Sequence, residues 1–96
     1  MFVIELTYKV ERSIVEQHLL NHRAWLDDMY QLNYLLCSGM NTLKNGGVII
    51  AMPSLTKQKI EELIKADPFY IHQVADYKLL EFVPTKFNQS LHELFN

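Results

Sequence analysis

The 96-residue sequence has little cysteine, glycine or proline: one, three and three residues respectively. A lone Cys37 cannot form a disulfide within the chain, which excludes the disulfide-stapled class of small secreted domains and makes the cytoplasm the expected compartment. With so few glycines and prolines there is no visible linker, low-complexity tract or repeat, and the length reads as one domain. No apolar run approaches the roughly 20 residues of a membrane span. No basic stretch followed by a long apolar one opens the chain, so no signal peptide and no membrane partner are expected. An excess of charge of one sign is also missing. Nine Lys and Arg against eleven Asp and Glu give a formal charge of −2, which supplies no general attraction to nucleic acid or an anionic surface. The phosphate-loop and dinucleotide glycine motifs are absent, and no cofactor is expected.

What is present is 49% hydrophobic and 21% charged, the balance of a folded chain. Phe2, Ile4, Leu6 and Tyr8 alternate with Val3, Glu5, Thr7 and Lys9, the period of a strand. A helix of roughly five turns is predicted next, with Ser13 as its N-cap and its end near Leu32 and Asn33. Its apolar stripe is Val15, Leu19, Leu26 and Met29, flanked by Trp25 and Tyr30. The apolar runs 34–38 and 48–52 enclose a Gly/Asn-rich stretch and read as a hairpin, with Lys44-Asn45-Gly46-Gly47 in the turn. Ile60, Leu63 and Ile64 mark a second, shorter helix, and Asp67-Pro68 starts another turn of helix with Asp67 as its cap. Residues 77–83 read as the last strand, and Leu91, Leu94 and Phe95 as a short tail helix over 88–96.

The order β-α-β-β-α-β is that of an α+β ferredoxin-like sandwich, with both helices on one face of a four-stranded antiparallel sheet. The strand around residues 48–52 is apolar at every position, as when both faces are covered. A second copy of the chain is the simplest cover for the face without helices, so a homodimer is expected.

Few residues can carry chemistry. His22 lies about 20° from both Val15 and Met29 on a helical wheel, so its imidazole faces the sheet. It reads either as a hydrogen-bonded core histidine or as an acid or base. Asp67 reads as a helix cap and, alternatively, as the carboxylate that orients His22. Ser38, before Gly39 at a strand end, is a candidate ligand contact. His18 and His22 stand four residues apart, but no further ligands accompany them and no metal is expected. Cys37 reads as inert packing within an apolar run. The Lys44–Gly47 stretch could cradle an anion, though a turn explains it better. The strand at 48–52 lacks the basic and aromatic residues of an RNA-recognition strand, so nucleic acid is not an expected partner.

Several pieces in order are similar to the YciI-like (YCII-related) family of dimeric α/β-barrel proteins. They are Met1-Phe2-Val3-Ile4, His22-Arg23-Ala24-Trp25-Leu26, Ser38-Gly39, Gly46-Gly47-Val48-Ile49, Asp67-Pro68-Phe69 and Tyr77-Lys78-Leu79-Leu80-Glu81-Phe82. The likeness spans residues 1–87 and leaves 88–96 as a tail. Met40 stands where the family commonly has proline, and Lys44-Asn45 replaces an arginine-containing approach to the glycine pair. The resemblance implies a ferredoxin-like subunit whose sheet packs on a second subunit, with a site built on His22 and Asp67 and with Ser38 as a third member. The family's few assigned members resemble lyases. The functional expectation is therefore a cofactor-independent lyase or isomerase that uses His22 and Asp67 for proton abstraction from a small cyclic or aromatic substrate. A non-catalytic homodimeric ligand-binding or interaction module is the alternative.

Overall fold

The computed structural model describes residues 1–95. Strand β1 (Phe2–Tyr8) leads to helix α1 (Arg12–Gln31), and strands β2 (Leu35–Met40) and β3 (Gly46–Ala51) form a hairpin. Helix α2 (Lys57–Lys65), the single-turn helix α3 (Pro68–Ile71) and strand β4 (Ala75–Glu81) follow. A 3-10 turn, Gln89–Leu94, lies beyond β4. The sheet is antiparallel in the order β2-β3-β1-β4. This is the ferredoxin-like α+β sandwich.

Strand parity divides the sheet. Ile4 pairs with Ile49 and with Leu79, and Leu6 with Gly47 and Tyr77, on the face covered by the helices. Phe2, Ile4, Leu6, Ile49 and Ala51 are buried there beneath Val15, Trp25 and Met29 of α1, Ile60 and Ile64 of α2 and Phe69 of α3. Full burial of each large apolar side chain contributes about 1.5–3 kcal/mol. Val3, Val48 and Ile50 are only half-buried, and Leu80 is 61% exposed. Register puts these residues on the other face.

Two helix ends aim the strands that follow. In α1, Asn33 takes a left-handed φ of 62°. Its N–H bonds Tyr30 O and that of Tyr34 bonds Met29 O, a Schellman closure that asparagine tolerates. Helix α3 closes the same way: Gln73 has φ 56°, its N–H reaches Tyr70 O, and Val74 N–H reaches Phe69 O. The accompanying hydrophobic contact is between Phe69 and Val74, both fully buried.

Four local expectations are corrected. The helix α1 begins at Arg12 with Glu11 as N-cap, because Glu11 O already accepts from Ile14 and Val15; Ser13 sits inside the first turn and caps nothing. The hairpin turn lies at residues 41–45 and not at the glycines. Asn41 bonds Asn45 through both side chains (2.6 Å) and through Asn45 N–H (3.1 Å), and Lys44 supplies the left-handed residue at φ 59°. Cys37 is exposed, since an irregularity between Leu35 and Cys37 brings it opposite Ile50, on the face without helices. The strand bounds also move: β4 runs Ala75–Glu81, two residues earlier than the periodicity placed it.

Gly46 and Gly47 belong to β3. A Cβ on Gly46 would lie 1.8 Å from the Leu6 carbonyl oxygen, whereas one on Gly39 would meet nothing within 4 Å. Gly46→Ala should therefore destabilise the fold by about 2–3 kcal/mol, and Gly39→Ala should stay within about 0.5 kcal/mol of the parent, both read by chemical denaturation. Equal effects at the two positions would contradict the close approach of β3 to β1.

Candidate active site

The site begins with a helix cap. Asp67 lies in extended conformation just before Pro68, and its Oδ1 accepts the Phe69 N–H at 3.0 Å. Proline at the first helical position has no N–H of its own, so the cap serves the next one. The same Oδ1 is 2.7 Å from His22 Nδ1. Tyr77, on the helix-covered face of β4, donates its hydroxyl to Oδ2 at 2.5 Å. Asp67 is completely buried, and both of its oxygens are held by donors from α1, α3 and β4. A carboxylate can persist without water only under such conditions.

His22 is 8% exposed. Its ring stacks on Phe69, centroids 4.0 Å apart and planes at 5°, with Trp25 on a looser stack at 5.8 Å. Trp25 is anchored by its indole N–H to Leu63 O at 3.1 Å. The imidazole is thus fixed in plane by Phe69 and in direction by Asp67. A carboxylate accepts, so Nδ1 carries a hydrogen, and in the neutral form of the ring Nε2 keeps its lone pair. Nε2 has no hydrogen bond, yet no buried polar side-chain atom among the described residues lacks a partner. It therefore reaches open space.

That space is a cavity of about 630 Å³ between α1 and the β1–β3–β2 part of the sheet. The sheet wall carries Leu6, Ile49, Ser38 and Gly47, and Leu19 and Leu26 of α1 line the wall facing it. His22 and Ser38 both line the cavity, while Asp67 lies behind the imidazole. The Ser38 hydroxyl bonds that of Tyr30 at 2.6 Å. His18 stacks on His72 at 4.2 Å, and no group of three or more His, Cys, Asp or Glu side chains among the described residues is arranged to hold a metal. No helix among them is long and apolar enough to cross a membrane.

No family model matches the chain, and no curated protein matches it in sequence. Its structure is similar to that of 5-chloro-2-hydroxyhydroquinone dehydrochlorinase (TftG) from Burkholderia phenoliruptrix AC1100, solved in complex with 2,5-dihydroxybenzoquinone. The TM-score is 0.62 at 12% identity, and the match covers 86% of this chain and 94% of that one. The likeness is one of fold, the ferredoxin-like sandwich described above.

Sequence reasoning missed Tyr77 and Tyr30. The signal for Tyr77 was its parity with Leu79 on a strand returning directly after the Asp67 turn: a half-buried phenol needs a partner. Burial first, then the hydrogen bond to Asp67 and its charge, raise the Tyr77 hydroxyl far above the usual tyrosine range. The folded protein therefore keeps this proton at pH values where the unfolded chain loses it. The stability it contributes is whole below about pH 10 and falls as pH rises beyond that value. Tyr77→Phe should cost about 1–3 kcal/mol at neutral pH, since it leaves a buried carboxylate oxygen unpaired, and should flatten the alkaline fall. Denaturation curves at pH 7 and above pH 10 check both; an unchanged alkaline slope would contradict the assignment.

Proposed function

We propose that the chain is a YciI-like protein of the dimeric α/β barrels, a cytoplasmic homodimer acting on a small cyclic or aromatic molecule by proton transfer. Residues 1–87 form its one domain and 88–96 an appended tail, of which Asn96 lies outside the described residues. His22 takes or returns the proton through Nε2, Asp67 fixes the ring and offsets the charge it acquires, and Ser38 contacts the substrate from the opposite wall. The observation that carries this reading is the His22–Asp67 hydrogen bond of 2.7 Å with the other ring nitrogen open to the cavity. A residue serving only the core would have both nitrogens satisfied inside the protein.

The reaction class follows from what one such base can do. Removing a proton next to a carbonyl or enol lets the electron pair form a double bond, and either a leaving group departs as an anion or the proton returns elsewhere. Elimination and isomerisation of this kind are redox-neutral and fall within general acid–base catalysis. The structural neighbour is by its description a dehydrochlorinase of a ring compound, which supports elimination as the chemistry to test first. The half-buried Val3, Val48 and Ile50 with exposed Leu80 support the homodimer, because a second subunit would cover them.

The test uses 5-chloro-2-hydroxyhydroquinone and related halogenated ring compounds, with chloride release as the readout. His22→Gln should lower the rate by about 100-fold or more while the molecular mass by light scattering stays that of the parent dimer; Asp67→Asn should give a smaller loss. Turnover retained in His22→Gln would remove the acid–base role and return the site to ligand binding without catalysis.

A further inference from the structure

The cavity is unevenly charged in a chain whose net charge is −2. Three of the nine Lys and Arg residues line it, Arg12, Arg23 and Lys44, against one of the eleven Asp and Glu residues, Glu16. The three cations come from both walls: Arg12 and Arg23 from α1, Lys44 from the turn between β2 and β3. None of them, and not Glu16, forms an ion pair among the described residues, where the ion pairs are Lys9–Asp76, His22–Asp67 and Lys59–Glu62. All three are exposed on the cavity's lining, while the walls behind them are apolar, with Leu6, Val15, Leu19, Leu26 and Ile49. A cleft with low-dielectric walls focuses the field of the unpaired charges that line it. Lys44 is held there by backbone as well: its left-handed φ of 59° and the Asn41–Asn45 clasp set the turn.

We infer that the cavity selects small organic anions, an apolar ring carrying an ionised oxygen substituent, with the ring between α1 and the sheet and the anionic group at Arg12, Arg23 and Lys44. This rests on the reading that the His22 cavity is the ligand site, and it names the class of molecule that site takes. The cations bind the charged substituent, and His22 meets the ring carbons deeper in. Glu16 partly opposes them and leaves the lining at a formal excess of two positive charges.

The experiment compares two non-reacting probes of like size, 2-naphthoate and the neutral 2-naphthalenemethanol, titrated into the intact protein. Binding is followed by the NMR shifts of the Leu6, Leu19 and Leu26 methyl groups, which locate it in the cavity. The anion should bind about tenfold more tightly, and the preference should shrink in 1 M salt, where the screening length is about 3 Å. The paired variant Arg23→Glu with Lys44→Glu should lose that preference and leave the neutral probe within about twofold. The milder Arg23→Gln with Lys44→Gln should give an intermediate loss, and its unperturbed methyl spectrum separates lost charge from lost fold. Equal affinity for the two probes, or an anion affinity unchanged in both paired variants, would overturn the inference. Such a result leaves the proton-transfer reading standing, since that is decided by turnover in His22→Gln; loss of the latter likewise leaves the anion preference measurable.

Discussion

The carboxylate of Asp67 ties together three elements, α1, α3 and β4. Its Oδ1 holds the first free amide of α3 and the imidazole of α1, and its Oδ2 holds the phenol of β4. A buried carboxylate with any of these donors removed would face an uncompensated desolvation cost, so the position of one constrains the others. Helix capping and site construction are here one interaction. The cap sets where α3 starts, α3 places Phe69 flat against His22, and the pair fixes an imidazole that has one nitrogen engaged and one open.

The cavity is the complement of that constraint. On the side of the sheet nearer α2, Leu35, Ala51, Ile60 and Ile64 close the interior. On the other side, Gly46 must approach the Leu6 carbonyl without a side chain, and Gly47 and Ser38 present little bulk to α1. The close contact between β1 and β3 falls at Gly46, and the neighbouring Gly47 of β3 and Ser38 of β2 line the cavity. The pocket's apolar walls come from α1, β1 and β3, and its exposed cations from α1 and the turn at residues 41–45.

Much of this was legible in the sequence because it follows from period and parity. Alternation over residues 2–8 placed Phe2, Ile4 and Leu6 inward, and the wheel put His22 between Val15 and Met29. Asp67-Pro68 signalled a cap that the structure contains. What the sequence hid depends on distance across the fold. Nothing local says that an aspartate 45 residues after His22 reaches its Nδ1, or that Tyr77 closes the other oxygen. The glycine pair misled for a physical reason: glycine is the usual turn residue, but here asparagines and a left-handed lysine make the turn, and the glycine is needed for backbone proximity. Cys37 misled because an irregularity in β2 changed the face it presents.

The arrangement depends most on the state of one ring. Nitrogen-15 NMR of His22, recorded on its neutral imidazole, reports directly which nitrogen carries the hydrogen. The structure requires the hydrogen on Nδ1, held by Asp67, with the shift of Nε2 that of an unprotonated acceptor, and requires that Asp67→Asn disturb this pattern. A hydrogen found on Nε2 in the parent protein would contradict it, because the nitrogen facing the cavity would then have no lone pair with which to take a proton.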